Sequence, residues 1–292
     1  MINSIGWIIW INSIVILIET IEIIQSIEST KIIEIIPTFA AMKRQVDKKS
    51  LIFGRHPVLD AIESGTPFDK LMLQKGTRGE LEKEIRHLSK KHNIPLQYVP
   101  KERLASITSG NHQGILGFLS LINYYKIEDV LPMIYEKSET PLILILDGVT
   151  DVRNFGAIAR SAEVCGAHAI IIPQKGAAQV NADSIKTSAG ALTKIPICRE
   201  GSLINTIEYL QMSGIHVVAS DLKGEKLLPK VDFTQPVALV VGSEWDGVSK
   251  SVLENVNERF IIPQVGTTDS FNVSVAAGIM MYEVLRQRAD IA

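Results

Sequence analysis

Three short blocks of polar residues carry side chains that could bind a ligand or move a proton. Each block follows an apolar segment typical of a buried strand, either directly or after a loop; the blocks are Asp147 to Arg160, Gly242 to Glu244 and Ser270 to Asn272. Open α/β sheets bind ligands just beyond the carboxyl ends of their strands. The three blocks therefore point to an enzyme with its site at such an edge.

Asn154 and Arg160 lie six residues apart, near the start of a predicted helix. An apolar helix rarely admits a guanidinium group without a partner or a ligand. Two explanations are open. Arg160 could form a structural ion pair with Asp147 or Asp151, or it could clamp a phosphate or ribose, since arginine binds phosphate through two hydrogen bonds.

The other two blocks also allow more than one interpretation. Gly242 has no side chain, which lets backbone come close to a ligand, and Glu244 adds a carboxylate. Ser270 and Asn272 precede a predicted helix whose first backbone N–H groups could meet a ligand. Either residue could instead be the N-cap of that helix.

The elements that must hold these blocks follow an α/β pattern from residue 142 onward. Near-continuous Ile, Val and Leu strands alternate with helical segments, as a parallel sheet covered on both faces requires. The predicted strands are 142–146, 169–172, 195–198, 216–219, 237–241 and 259–262, and the predicted helices lie near 155–165, 183–190, 202–213, 249–256 and 274–288. We expect a doubly wound α/β domain.

A smaller α/β unit is predicted before it. Between residues 51 and 121 short apolar runs alternate with helical patterns, and this rhythm is lost over 123–140, a segment that contains Pro132. The expected organisation is a leader (1–41), a first domain (42–122), a linker (123–140) and a second domain (141–292).

Charge changes sign between the two predicted domains. Residues 42–122 contain fourteen Lys and Arg against eight Asp and Glu, a balance of +6, whereas residues 123–292 contain fifteen against twenty, a balance of −5. A basic domain suggests contact with a polyanion, because phosphate groups attract it electrostatically. A solvated charged surface is the alternative.

Several classes of protein are disfavoured. The two cysteines lie far apart and the six histidines lack the spacing of paired ligands, so we expect neither a disulfide framework nor a metal. The absence of GxGxxG after the first strand and of GxxxxGK[ST] disfavours a dinucleotide dehydrogenase and a P-loop enzyme. With 6% Phe, Trp and Tyr, the composition also lacks the aromatic runs of a stacking single-strand binder.

The leader differs in composition from the rest, with sixteen isoleucines in the first 36 residues. Its apolar run, Ile5 to Ile18, is shorter than the roughly 20 residues needed to span a bilayer, and no positive charge precedes it as in a secretory signal. We expect 1–41 to be a non-native extension, with synthesis starting at Met42; a membrane-surface segment and a docked helix are the alternatives. A cytoplasmic protein without a membrane partner is expected.

The three blocks resemble motifs 1, 2 and 3 of the SpoU (TrmH-like) RNA ribose 2′-O-methyltransferases of the SPOUT class. Motif 1 corresponds to Asp147-Gly-Val-Thr-Asp-Val-Arg-Asn154 through Arg160, motif 2 to Leu239-Val-Val-Gly-Ser-Glu244, and motif 3 to Ile262-Pro263 through Ser270-Phe-Asn-Val-Ser-Val-Ala276. Phe53-Gly-Arg-His-Pro-Val58 and His112-Gln-Gly-Ile-Leu-Gly117 are similar to the L30e-like substrate-binding domain of the RlmB-like branch, which methylates a guanosine of 23S rRNA.

The resemblance implies an L30e-like α/β domain followed by a SPOUT α/β domain with a parallel sheet and a deep trefoil knot, a rare exception among chain topologies. It implies S-adenosylmethionine as cofactor and a homodimer as the working form. By position in the motifs, Gly242, Ile262 and Phe271 would contact the cofactor. Phe271 stands where the family usually has leucine, so the side chain at this position is larger.

The resemblance also implies a catalytic set, namely Arg160, Asn154, Glu244, Ser270 and Asn272. Because a guanidinium stays protonated and is a poor base, we expect Arg160 to hold the adjacent phosphate and the developing oxyanion. Glu244 would orient Arg160 or take the proton, and the other three would hold ribose, phosphate and loop.

The expected reaction is methylation of the ribose 2′-hydroxyl of a 23S rRNA guanosine. A tRNA guanosine methyltransferase and a non-catalytic RNA-binding ribosome-assembly factor are the alternatives. The presence of Arg160, Glu244 and Asn272 favours an enzyme over the binding factor.

Overall fold

Residues 50–289 are described by a computed structural model, and they form two β-sheets with their covering helices. The predicted leader, 1–41, lies outside the described residues. Within 50–289 no helix is both long and apolar enough to cross a membrane. The expected cytoplasmic location stays a prediction.

The first sheet is built from β1 (Leu51–Phe53), β2 (Phe68–Gln74), β3 (Leu96–Val99) and β4 (Ile115–Leu119), with helices α1 (Arg55–Glu63), α2 (Glu80–Lys91) and α3 (Lys101–Ile107). The strand order is β1-β4-β2-β3. β4 is antiparallel to β1 and β2, and β2 is parallel to β3. Leu71 and Leu73 of β2 pack with Val58 and Ile62 of α1 and Ile85 of α2 in one buried cluster.

The second sheet has eight strands, and every pair in it is parallel. They are β5 (Tyr124–Tyr125), β6 (Leu142–Leu146), β7 (Ala169–Pro173), β8 (Ile197–Glu200), β9 (His216–Ser220), β10 (Lys226–Leu227), β11 (Val237–Val241) and β12 (Glu258–Ile261). Their order across the sheet is β10-β12-β9-β11-β6-β7-β8-β5. The predicted α/β fold with a parallel sheet is confirmed.

Helices cover both faces of this sheet: α4 (Ile127–Glu136), α5 (Val152–Val164), α6 (Ala182–Thr187), α7 (Leu203–Met212), α8 (Lys250–Leu253) and α9 (Val273–Ala289). Leu144 of β6 belongs to the core shared with α5 and α9, while its neighbour Ile143 belongs to the core shared with α4 and α7. Successive strand residues point to opposite faces, so a strand buried on both sides is apolar throughout. This is why the runs 142–146 and 237–241 predicted their strands to the residue.

The segment predicted as a linker, 123–140, is instead regular structure. Tyr124 and Tyr125 pair with β8, and α4 follows them. The residues that α4 buries are Ile127, Val130, Leu131 and Ile134. This i, i+3, i+4, i+7 spacing is that of an amphipathic helix, and its burial outweighs the helix-breaking tendency of Pro132.

The parallel arrangement brings the three polar blocks to one edge of the sheet. Leu146 and Val241 are register partners, so the loops that follow β6 and β11 begin side by side. The loop that follows β12 leads into α9, which packs with α5 against the same face. The trefoil knot stays a prediction.

Candidate functional site

The position of Asn154 is set by the start of α5. Asp151 caps this helix, because its carboxylate accepts hydrogen bonds from the backbone N–H groups of Arg153 (2.7 Å) and Asn154 (2.9 Å). A cap of this kind satisfies N–H groups that have no partner inside the helix. The Asn154 side chain is thereby fixed in the first turn.

Glu244 lies on a tight turn directly after β11. Ser243 and Gly247 exchange two backbone hydrogen bonds across the turn (2.9 and 3.1 Å), and the Ser243 hydroxyl accepts from the Asp246 N–H (3.1 Å). A Cβ added to Gly242 would lie 2.0 Å from the carbonyl carbon of Gly247. The turn itself therefore requires glycine at 242, whereas the sequence had suggested close approach of a ligand.

The turn is also attached to the first polar block. The Asp147 carboxylate accepts a hydrogen bond from the Ser249 N–H (2.7 Å), and the Asp147 N–H donates to the Val241 carbonyl (2.8 Å). These hydrogen bonds join the loop after β6 to the loop after β11. They therefore hold Glu244 at the same end of the sheet as Asn154.

Asn272 immediately precedes α9 and has two roles. Its Oδ1 accepts hydrogen bonds from the backbone N–H (3.0 Å) and the hydroxyl (2.6 Å) of Ser274, which is the geometry of an N-cap. Its Nδ2 donates to Glu244 Oε1 (3.2 Å) and to Asn154 Oδ1 (3.3 Å). Asn272 therefore caps α9 through its oxygen and also contacts the other candidate site residues through its nitrogen, so the two alternatives left open by the sequence are both met.

Asn154, Glu244 and Asn272 form what we call the amide–carboxylate cluster, since the Asn154 Nδ2 also donates to Glu244 Oε1. Both amides bind the same carboxylate oxygen. Within residues 50–289 no hydrogen bond uses Glu244 Oε2, and the side chain is exposed. A carboxylate oriented in this way can accept a hydrogen bond, and then a proton, from a hydroxyl group of a ligand.

Arg160 is not part of the cluster. Its side chain is exposed and makes no hydrogen bond or ion pair with any described residue. Neither of the expected carboxylate contacts is formed, because Asp147 and Asp151 accept backbone N–H groups instead. No hydrogen bond or ion pair joins Glu244 to Arg160 in the described part of the chain, and Glu244 Oε1 accepts from two amides instead.

Arg153 is a candidate that the sequence reasoning missed. It lies seven residues before Arg160 on α5, a spacing that places two residues on one face of a helix. Its side chain is also exposed and has no partner among the described residues. The i, i+7 spacing was the available signal. Two guanidinium groups on one open face are suited to binding phosphates.

Ser270 and two of the three predicted cofactor contacts, Ile262 and Phe271, lie on the loop between β12 and α9. Ser270 is exposed and makes no hydrogen bond to the cluster in the described part of the chain. Ile262 and Phe271 line one groove of about 640 Å³, together with Pro263, Val275 and Ile279.

Gly242 is not among the residues that line this groove. The structure thus brings two of the three predicted cofactor contacts together on one apolar surface.

The described residues contain no group of three or more His, Cys, Asp and Glu side chains placed to hold a metal ion. Cys165 and Cys198 are both free thiols. Burial raises the pKa of each thiol above its ordinary value, so both stay protonated at neutral pH.

Two family matches cover most of the described chain. Residues 141–282 match the SpoU rRNA Methylase family, and residues 51–125 match the family of RNA 2′-O ribose methyltransferase substrate binding domains. The first match covers β6 to β12 of the second sheet, and the second match covers the whole first sheet together with β5.

Curated relatives match along nearly their whole length. YacO of Bacillus subtilis (strain 168), which is named for the TrmH family of tRNA/rRNA methyltransferases, is 35% identical over 240 residues, which are 82% of this chain and 96% of that protein. A relative named for the same family in Staphylococcus aureus (strain MSSA476) is 34% identical over 242 residues, 83% of this chain and 98% of that protein.

Solved structures share the fold. The SpoU methyltransferase AviRb from Streptomyces viridochromogenes superposes with a TM-score of 0.52 and 25% identity, over 82% of this chain and 90% of that one. An AdoMet-bound rRNA methyltransferase from Sinorhizobium meliloti superposes with a TM-score of 0.50 and 25% identity, over 81% and 86%.

Proposed function

The chain belongs to the SpoU (TrmH) family of RNA methyltransferases, and we propose that within it the protein methylates the ribose 2′-hydroxyl of a guanosine in 23S rRNA. The observation that carries the proposal is the amide–carboxylate cluster. Asn154, Glu244 and Asn272 come from three separate motifs and are joined by hydrogen bonds at the carboxyl edge of a parallel sheet, where α/β enzymes work.

The cofactor is S-adenosylmethionine, which supplies an electrophilic methyl group on a sulfonium centre when bound. The groove that Ile262 and Phe271 line would hold part of a molecule of this kind. Its volume of about 640 Å³ lies within the range of small-molecule sites, about 300–1000 Å³. Ile262 and Phe271 would give the adenine apolar walls, and the turn that Gly242 begins would offer backbone groups.

The residues of the cluster would act on the ribose. The 2′-hydroxyl of the substrate would donate a hydrogen bond to Glu244 and lose its proton to that carboxylate as its oxygen attacks the methyl carbon. Asn154 and Asn272 would keep the carboxylate oriented toward the hydroxyl, so that little reorganisation is needed at the moment of reaction.

Arg160 would hold the phosphate next to the target ribose, with Arg153 on the same helix face. Both guanidinium groups are free to take phosphate oxygens, because no described residue competes for them. Ser270, exposed on the loop before α9, would contact ribose or phosphate from the other side.

The substrate assignment rests on the first domain, 42–122. Its charge balance of +6 favours a polyanion, and residues 51–125 match a substrate-binding family of ribose methyltransferases. Transfer of tritiated methyl from S-adenosylmethionine to purified, unmodified rRNA and tRNA tests the assignment. Label in 23S rRNA supports the assignment. Label in tRNA would make tRNA the substrate instead, and no label in either RNA would favour a non-catalytic RNA-binding role.

We include the homodimer in this proposal. The apolar side chains of Leu285 in α9 and Val164 in α5 are exposed, and neither lines the groove assigned to the cofactor. A second copy of the chain would cover such a surface. Light scattering during size exclusion should give twice the chain mass, and Leu285→Glu should give the mass of one chain.

A further inference from the structure

A buried arginine joins the two sheets. Arg199 of β8 is only 5% exposed, although it carries a full charge. Its Nη1 donates to the Asp69 carbonyl (3.0 Å) and its Nη2 to the Phe68 carbonyl (2.9 Å), both at the start of β2 in the first sheet. The guanidinium also lies 3.7 Å from the ring centre of Tyr124.

Neighbouring side chains complete this contact. The Tyr124 hydroxyl donates to Asp69 Oδ1 (2.6 Å), and the Asn93 amide donates to the Arg199 carbonyl. Burial raises the pKa of Tyr124 and of Asp69, and it lowers the pKa of Arg199. We call Asp69, Asn93, Tyr124 and Arg199 the joint.

The joint is anchored in the second sheet by the next residue of the same strand. Glu200 is buried, and its carboxylate binds the Lys126 ammonium (2.7 Å) and the Ile127 N–H (2.9 Å). These two contacts fix the chain between β5 and α4. Arg199 and Glu200 therefore hold the first sheet and the connecting segment from one strand.

The joint lies at the same edge as the proposed active site. One cleft of about 270 Å³ is lined by Asp69 and Pro95 from the first sheet and by Pro173, Lys175 and Arg199 from the second. These second-sheet residues lie at or just past the ends of β7 and β8.

The loop after β7 is in turn bonded to the first polar block. The N–H of Ala178 donates to the Val149 carbonyl (2.9 Å), next to the cap of α5. The first sheet therefore lies against the carboxyl ends of β7 and β8. The amide–carboxylate cluster lies at the carboxyl ends of β6 and β11, which the first sheet does not cover.

The basic and glycine-containing loops of the first sheet lie at its other end. Phe68 and Asp69 begin β2, whereas Lys75 and Arg78 follow its last residue. Arg55 begins α1 after β1, and its N–H is bonded to Gln113. If these cations hold the phosphate backbone of an RNA, the distance from that backbone to the amide–carboxylate cluster is fixed only when the joint is rigid.

We propose that Arg199 is a positioning residue. It fixes the orientation of the first domain relative to the carboxyl edge of the second sheet, so that bound RNA presents its target ribose to the amide–carboxylate cluster. The inference rests on the proposed function. The two Nη groups of Arg199 donate to adjacent carbonyls, and its guanidinium stacks on the Tyr124 ring. Together these contacts define the orientation of the first sheet, which a single flexible donor such as lysine could not do. In some proteins a buried charge specifies one arrangement of the parts, and this is the role that the proposal gives to Arg199.

The first test measures the joint without any RNA. Spin labels are placed on Lys83→Cys in α2 and Met212→Cys in α7, both exposed positions, in a Cys165→Ser background with buried Cys198 retained. Labelled chain is diluted with unlabelled chain, so that only distances within one chain are read.

We expect one narrow distance distribution for the wild type and a broad one for Arg199→Gln. The matched control is Arg259→Gln, which removes an arginine of β12 that donates to a backbone carbonyl of α8, that of Leu253, and within residues 50–289 makes no hydrogen bond or ion pair with the first sheet. The control should stay narrow. An Arg199→Gln distribution as narrow as wild type overturns the proposal.

The second test compares two RNA substrates. For a 23S rRNA fragment large enough to reach both sheets, kcat/KM should fall about 100-fold in Arg199→Gln, as expected when a distant change displaces the reacting groups by about 1 Å. For a short hairpin that carries only the target loop, kcat and the Kd for S-adenosylmethionine should be unchanged. Equal losses on both RNAs would overturn the positioning role.

A variant that does not fold and a wild type that methylates no RNA can each be distinguished from failure of the joint itself. If Arg199→Gln does not fold, Tyr124→Phe, which removes only the hydroxyl bond to Asp69, should broaden the distances, and failure to do so counts against the joint. If the wild type methylates no RNA, the proposed function fails, while the distance measurement still decides whether Arg199 fixes the two sheets.

Discussion

Replacing Asn272 with aspartate separates the two roles of this residue, because the change exchanges one NH2 group for oxygen. The Oδ1 that accepts from Ser274 remains, and aspartate caps helices as well as asparagine does. A negative charge at a helix N-terminus is also favourable. The cap is therefore kept in Asn272→Asp, and a fall in its free energy of unfolding should come from the contact with Glu244 and not from the cap.

The cluster, in contrast, loses its donor. Asn272 Nδ2 lies 3.2 Å from Glu244 Oε1, and a hydrogen bond to a charged group contributes about 1.5–3 kcal/mol. Two like charges at that distance repel by about 1.3 kcal/mol in water, and the value for water applies because both side chains are exposed. A loss of about 3–4 kcal/mol corresponds to a kcat lower by about 100- to 1000-fold.

The assay measures initial rates of methyl transfer to rRNA together with thermal unfolding. Asn272→Ala should lose both the cap and the activity. Ser274→Ala is the matched control, since it removes the hydroxyl bond to Oδ1 (2.6 Å) and leaves the amide in place, so its rate should be close to wild type. A rate for Asn272→Asp within about threefold of wild type would refute the role of the amide.

Three further predictions concern other parts of the site and the fold. Gly242→Ala should lower the free energy of unfolding by about 3 kcal/mol or more, because its Cβ would meet turn backbone at 2.0 Å; Gly266→Ala, where nothing lies within 4 Å, should not, and equal thermal unfolding of both variants would count against this explanation. Arg160→Lys should keep the thermal stability and lose about 10- to 150-fold in kcat/KM, since lysine cannot bind phosphate through two parallel bonds; near-full activity would exclude the clamp. Burial lowers the pKa of His168, so the unfolded chain binds the proton first and stability should fall as pH drops below about 6.5. His168→Gln should flatten that pH dependence in thermal unfolding, and an unchanged slope would assign it to another group.

The sequence predicted those strands whose burial leaves a long uniform signal. The runs 142–146 and 237–241 lie at the centre of the sheet and are apolar on both faces, so their limits were visible. β5 and β10 are two residues long and carry no periodicity to detect. The α4 helix has Pro132 in its interior, a residue that usually ends a helix, so its apolar i, i+3, i+4, i+7 spacing alone did not predict it.

The site residues were nominated from the sequence, but their contacts could not be. Asn154 and Glu244 are 90 residues apart in the chain, and Asn272 lies 118 residues from Asn154. Their hydrogen bonds depend on the parallel register that brings the ends of different strands together. Arg199 gave no signal in sequence, because one arginine in a short strand does not reveal that its partners are backbone carbonyls 130 and 131 residues away.

The claim that this cluster methylates a ribose oxygen is tested most directly by the identity of the product. RNA methylated by the wild type and by Glu244→Gln would be digested to nucleosides and analysed by mass spectrometry. We predict 2′-O-methylguanosine from 23S rRNA with the wild type, and a yield lower by about 100-fold or more with Glu244→Gln, because the carboxylate that takes the proton is gone. A methyl group on a base, or an undiminished yield from Glu244→Gln, would contradict it.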